Sequence, residues 1–264
     1  MIKFNNNKKL KIMQITDIQE IPNISADTLQ LLNSALDREK PDLVILTGDQ
    51  IKGYGITYKG KSKELYQNVA DTIHKIIEPV TKRKIPFAVT FGNHDRQVGI
   101  SNEEQLKHIY SKQPGCIYGE NAYDAGTFNI PIYSSDEKEI VFNIYLIDSQ
   151  TDKKGGGYES VKKEQIDWYK NTREKLKNQC GKYIPSILFQ HIPLPEYYNL
   201  LKRSSRFKRN SIRSYRIHKN EFYTLGDSCE VGGTFLEPPS IPDENTGEFD
   251  AIREKGDVLA VFRT

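Results

Sequence analysis

Five side chains able to bind a cation or move a proton follow apolar runs in this chain. Asp17 follows "KIMQIT", Asp49 follows "LVILTG", Asn93 and His94 follow "FAVTFG", and His191 follows "SILFQ". Asp17 and Asp49 offer hard anionic oxygens, Asn93 a neutral oxygen and His191 a borderline nitrogen. Such mixed nitrogen and oxygen sets suit Mn, Fe, Zn and similar ions. Each residue alone has a plainer explanation. An Asp after a strand and a Gly serves most often as a turn residue or helix cap, and "GNHD" can be a tight loop because Gly and Asn tolerate positive φ. Four successive runs ending in this way are hard to reconcile with turns alone. In open α/β sheets the carboxyl ends of the strands form one rim, where residues distant in sequence meet.

The elements that must build this rim are legible as alternating patterns. "KIMQIT" reads as a strand, and a helix follows from Ser25, a good N-cap, with Leu29, Leu32 and Leu36 on one face and Pro41 beyond its end. "DLVILTG" is a continuous apolar strand of the type buried on both faces. Residues 63–82 have helical spacing through Val69, Ile73, Ile76 and Ile77, and "IPFAVTFG" is a third strand. This βαβαβ order predicts a largely parallel, right-handed core. Further on, "YDAGTFNIPIY" and "EIVFNIYLIDS" read as an antiparallel pair turning at "SSDEKE". A helix is expected over 160–177, then a buried strand in "YIPSILFQH", and a last strand in "VLAVF". "GGTFLEPPSIPDENTG" reads as loop. No internal repeat or linker interrupts the 264 residues, which predicts one domain over 1–264.

Composition excludes several classes. With 37% hydrophobic and 28% charged residues the chain is neither disordered nor membrane-spanning, and a net charge of +3 gives no global pull toward membranes or nucleic acid. Cys116, Cys180 and Cys229 are scattered, which fits a reducing compartment better than a disulfide framework. The basic start "MIKFNNNKKLKIMQITD" has no apolar core of a signal peptide. A cytoplasmic protein is expected. One segment stands apart: residues 202–219 hold eight Lys or Arg and no acidic residue. It reads as a solvated surface loop, as a cap that attracts anionic substrates over the rim, or, least well supported, as an RNA-binding strip.

The blocks "TDIQ", "LTGDQ", "FGNHD" and "FQHIPLP", in that order, resemble those of the calcineurin-like metallophosphoesterases. "LIDSQ", "EQIDWY" and "DENTGEFDAI" are similar to the purple-acid-phosphatase-like bacterial branch. The resemblance implies a two-sheet β-sandwich flanked by helices with two divalent or trivalent metal ions, of the Mn, Fe, Zn or Ni class, at the strand ends. It implies that Asp49 bridges both ions, that Asp17 binds the first, and that Asn93 and His191 bind the second. His94 would be no ligand but the general acid for the leaving group. Asp95 would orient the ligands from behind, with a helix-cap role as the alternative. Such a centre cleaves small phosphomonoesters or diesters with a water activated between the ions. Ions about 3.5–4 Å apart require Asp17, Asp49, Asn93 and His191 to meet within about 8 Å.

Two departures from the family pattern stand out. Where the first block usually reads Asp-x-His, this chain has Gln19, which either offers an amide oxygen as a weaker ligand or hydrogen-bonds a water on the metal. The Gly-His-x-His block expected after "VLAVF" is absent, so the sequence reads as C-terminally truncated. His218 is the one remaining candidate to substitute, and His74 and His108 read as solvated. The expectation is therefore an under-occupied metal site and an exposed C-terminal edge prone to self-association. A metal-poor, weakly active or inactive relative that binds phosphorylated ligands is the alternative function. Membrane partners are not expected and nucleic acid is disfavoured.

Overall fold

A computed structural model describes residues 1–263 except 59, 61, 120, 121, 228 and 230–234. Thr264 and residues 232–234 of the Gly- and Pro-rich segment thus lie outside the described residues. In chain order the strands are β1 (Ile2–Lys3), β2 (Ile12–Ile15), β3 (Leu43–Thr47), β4 (Phe87–Thr90), β5 (Cys116–Ile117), β6 (Phe128–Tyr133), β7 (Ile140–Leu146), β8 (Ser186–Phe189), β9 (Leu201–Arg203), β10 (Ile212–Arg213), β11 (Phe222–Leu225) and β12 (Val258–Phe262). The α-helices are α1 (Ala26–Glu39), α2 (Ser62–Lys82), α3 (Asn102–His108), α4 (Lys163–Cys180) and α5 (Glu248–Arg253).

The first sheet, β2-β3-β4-β5, is entirely parallel, as the βαβαβ pattern predicts. The second, β1-β6-β7-β8-β12, is mixed, with the expected antiparallel pair β6–β7 inside it. β3 shows why the two sheets must stack. Leu43 and Ile45 point into the layer between sheets with Phe128, Ile130, Ile144 and Phe189, whereas Val44 and Leu46 point outward onto α1 and α2. A strand alternates faces with period two, so a continuous apolar run needs cover on both sides. On the far side of the second sheet, Tyr145 and Leu188 pack beneath Ile166, Tyr169 and Leu176 of α4 and Ala251 and Ile252 of α5. The layers are therefore helices, sheet, sheet, helices.

Local signals act as expected in α1, where the Ser25 hydroxyl accepts from the Asp27 amide and Leu32 and Leu36 are buried. Two expectations need correction. The helix expected over 160–177 runs Lys163–Cys180, its start displaced by a turn in which the Gln165 side chain caps the Lys162 amide. The basic segment is not a plain loop: β9 and β10 flank β11 in a small antiparallel sheet. Three of its charges are paired there, Lys202 with Asp227, Arg203 with Glu221 and Arg216 with Asp243. Among the described residues, no helix is long and apolar enough to cross a membrane.

Glu248, the first residue of α5, is buried, and its Oε1 has no hydrogen-bond partner among the described residues. Burial, reinforced by the neighbouring Glu196 carboxylate, pushes it from its usual 4.5 up to about 8. A carboxyl raised in the folded state binds its proton more tightly there than in the unfolded chain. Its contribution is thus full below about pH 4.5 and is lost as pH rises through 8. Glu248→Gln should therefore be more stable than the parent by a margin that grows between pH 5 and 8. Urea unfolding at several pH values measures this, and a margin independent of pH would refute it.

Candidate metal centre and active site

The loops after β2 and β3 run on side by side beyond the sheet. The Asp17 amide donates to the Gly48 carbonyl (3.1 Å), Gln19 to Asp49 (2.9 Å) and Glu20 to Gln50 (3.2 Å). To do so, Asp17, Gln19 and Asp49 adopt φ of 50°, 48° and 53°. Left-handed backbone at non-glycine residues costs on the order of 1–3 kcal/mol each, and such strain concentrates at functional sites. The turn after β4 packs onto the turn after β3 through glycines. A Cβ on Gly48 would lie 2.2 Å from the Gly92 nitrogen, and one on Gly92 would lie 2.1 Å from Asp49 Oδ1.

Asp95 locks these turns together from below. Its carboxylate accepts from the amides of Gly92 (2.8 Å), Asp49 (2.8 Å) and Gln50 (2.9 Å), and the residue is fully buried. The side chain caps no helix; what it holds is the backbone of Asp49, Gln50 and Gly92. Burial, followed by the nearby Asp49 charge, raises it to about 7 against the pull of the Gly92 and Asp49 amides.

Above this floor, donor atoms of Asp17, Asp49 and His191 all lie within 4.8 Å of one another. His191 Nδ1 donates to the Thr47 carbonyl (3.0 Å), which turns Nε2 to within 3.3 Å of Asp49 Oδ2. Burial lowers the His191 pKa, but the hydrogen bond and charge of Asp49 outweigh it and bring the imidazole to about 9. Two carboxylates and an imidazole crowded this closely form a cation-binding donor set of mixed oxygen and nitrogen, so the residues fit a metal ion.

Asn93, His94 and Gln19 line the same cavity, which measures about 280 Å³ and is also lined by Tyr158, Glu237 and Arg263 among others. The His94 amide donates to Asp49 Oδ1 (2.9 Å), its ring packs on Tyr54 (4.4 Å between centroids), and Nε2 lies 3.7 Å from Asp49 Oδ2. Gln19 is occupied on both sides of its amide: Oε1 accepts from the Tyr54 hydroxyl (3.1 Å) and Nε2 donates to Asp17 Oδ1 (3.3 Å). His218 does not join the site. It packs on Tyr198 (4.5 Å) and bonds Glu221 (3.1 Å), so it is neither a substitute ligand nor simply solvated. His74 and His108 are exposed on helices, as expected.

Residues 10–224 match the family model for calcineurin-like phosphoesterase. The chain belongs to that family. Among curated calcineurin-like relatives, it is 25% identical over 300 residues to "Probable inactive purple acid phosphatase 14" of Arabidopsis thaliana, covering 99% of this chain and 66% of that protein. It is 30% identical over 232 residues to "Phosphatase DCR2" of Saccharomyces cerevisiae, covering 77% of this chain and 38% of that protein. "Probable inactive purple acid phosphatase 29" of Arabidopsis thaliana is 24% identical, with 99% and 67% covered. The chain thus spans less than two thirds of the first two relatives' own length.

Several residues of this calcineurin-like site escape a motif reading. Tyr54, Asp152 and Tyr158, from loops, and Gln97, from a single 3-10 turn, surround His94 and Asn93 without any periodicity in sequence. Asp152 had one available signal, because it lies just past the end of β7, on the same rim as the other strand ends. The glycine contact yields a prediction. Gly92→Ala should force the two turns apart and cost about 1–3 kcal/mol, as overpacking does. Chemical denaturation reads this, and an unchanged midpoint would show that the turns have room to spare.

Proposed function

We propose that this chain is a metal-dependent phosphohydrolase acting on small phosphomonoesters or phosphodiesters. The observation that carries this is the meeting of Asp17, Asp49 and His191 donor atoms within 4.8 Å beside the His94 ring. Asp17, Asp49, Asn93 and His191 would hold two metal ions of the Mn, Fe, Zn or Ni class, with Asp49 shared. Gln19, bonded to Asp17, would steady that carboxylate or a water beside it. When bound, such ions neutralise phosphate oxygens and activate water for in-line attack. The chain's own residues do the rest. His94, with Nε2 turned toward Asp49, delivers a proton from that atom to the departing alkoxide oxygen, and the Tyr54 ring limits how far the imidazole can swing. Asp95 keeps the Asp49 and Gly92 backbone in place throughout.

A second reading, a weakly active or inactive protein that binds phosphorylated ligands, draws on two observations. Both Arabidopsis relatives named above carry the words "probable inactive" in their names, and the Gln19 amide oxygen is already engaged by Tyr54. Under this reading metal occupancy is partial. A single-domain, cytoplasmic protein remains our proposal, the latter on the three unpaired cysteines. β12 lies at the edge of its sheet with Leu259 and Phe262 exposed, which supports self-association through that edge. Sedimentation velocity should then show Leu259→Lys shifting the chain toward monomer.

Turnover of an aryl phosphate with added Mn, Fe, Zn or Ni tests the main reading. His94→Ala should lower turnover by about 10²–10⁴-fold with metal content nearly unchanged. Asp49→Ala should lose metal and turnover together. Metal bound without any turnover in the parent chain would favour the binding-only reading, and equal metal loss in both variants would make His94 a ligand.

A further inference from the structure

Asp152 belongs to no recognised motif, yet it bonds Asn93 directly and reaches His94 through Gln97. The chain leaves β7 and makes a tight turn in which Gly155, Gly156 and Gly157 all have positive φ, with Lys153 N donating to Gly157 O (2.9 Å). This turn, closed by a bridge between Asp152 and Tyr158, brings the Asp152 carboxylate beside Asn93 and Gln97. There Asn93 Nδ2 donates to its Oδ1 (3.3 Å), and Gln97 Nε2 donates to its Oδ2. Gln97 Oε1 in turn meets His94 Nδ1 at 2.8 Å.

We propose that Asp152 is a positioning residue for two functional side chains at once, fixing which end of the Asn93 amide is offered to a cation and, through Gln97, which His94 nitrogen exchanges its proton. The proposal rests on the phosphohydrolase reading above. Its logic is a chain of donors and acceptors. An ionised carboxylate only accepts, so both amides must turn their NH₂ groups toward Asp152. For Asn93 this leaves Oδ1, the one atom of the side chain able to bind a metal, directed elsewhere. For Gln97 it leaves Oε1 facing His94, and a carbonyl oxygen also only accepts. His94 Nδ1 must then carry hydrogen in both charge states. Asn93 Nδ2, which has a second N–H beyond the one given to Asp152, also comes within 3.3 Å of His94 Nδ1, but Gln97 Oε1 is the closer partner at 2.8 Å.

The consequence is chemical. With Nδ1–H retained by Gln97, the proton given to the leaving oxygen comes from Nε2, the nitrogen nearer Asp49. After transfer the imidazole is neutral with its hydrogen on Nδ1, ready to take the next proton at Nε2. Without the Gln97 acceptor the neutral ring favours hydrogen on Nε2, and the nitrogen facing the cavity is then no longer the one vacated.

Two-bond ¹H–¹⁵N correlations of the histidine rings in the metal-free chain report the tautomer directly, independent of any turnover. The parent should show His94 as the Nδ1–H form. Asp152→Ala and Gln97→Leu should both move it toward Nε2–H, while the melting temperature stays close to that of the parent. The Asn93 side-chain NH₂ resonances should shift in Asp152→Ala and hold in Gln97→Leu. Mn²⁺ affinity should fall about 10–100-fold in Asp152→Ala only, the usual effect of losing a group that orients a metal ligand. An unchanged tautomer in both variants, or equal Mn²⁺ weakening in the two, overturns the proposal. If Asp152→Ala fails to fold, Asp152→Asn replaces it. It puts an NH₂ group, which cannot accept, in place of one carboxylate oxygen and against the amide facing it, so either the tautomer or the Asn93 resonances must still change. A parent chain that binds no Mn²⁺ would sink the phosphohydrolase reading instead, and the ring and amide signals would still decide the role of Asp152.

Discussion

The cleft depends on one buried carboxylate. Asp95 gathers the amides of Gly92, Asp49 and Gln50, which come from turns after two different strands, onto a single pair of oxygens. Without that acceptor three buried N–H groups would be orphaned, each at a cost of roughly 1–3 kcal/mol. With it, the backbone of Asp49 is fixed relative to that of Asn93 and His94, and the His94 amide completes the circuit by bonding Asp49 Oδ1. Everything above the floor inherits its position from this arrangement, including the 3.3 Å approach of His191 to Asp49.

Behind that floor a second layer ties the loop to the other sheet. Arg96, two residues after His94, pairs with buried Asp148 at the end of β7 (2.8 Å), and Asn102 at the start of α3 bonds the same oxygen (2.9 Å). Burial raises Asp148 to about 6, while the Arg96 charge draws it back down. The two sheets are thus joined at their carboxyl ends by ionic contacts and at their centres by apolar packing of Ile45, Ile130 and Ile144. Donor atoms carried by strands of both sheets can be held to ångström tolerance only because both joints exist.

Much of this was legible in the sequence, and the division between what was and was not has physical causes. β3, β4 and the helices around them follow from runs of apolar residues with a clean period, because burial on two faces leaves no choice of residue type. The candidate ligands were found because each follows such a run. The small sheet of β9, β10 and β11 was not, since strands of two to four residues, rich in Lys and Arg, carry no apolar alternation. Asp152 and Gln97 lie in turns whose shape is set by glycine φ angles and side-chain amides, and their role exists only in three dimensions. His218 was misread for a related reason: its neighbours Tyr198 and Tyr223 come from separate elements.

The contact between Gly48 and Gly92 bears on how the motif itself should be read. Each glycine is required by the backbone of the opposite turn, at 2.2 Å for Gly48 and at the Asp49 carboxylate for Gly92. Neither requirement involves a metal or a substrate. A descendant of this fold that lost its chemistry would still be obliged to retain both glycines, because their loss would pry apart the ends of β3 and β4. The dipeptides Gly-Asp and Gly-Asn therefore testify to the shape of the rim and not to turnover. Among proteins sharing this architecture, the side chains that stand free of such packing, His94 foremost, are the better witnesses to catalysis.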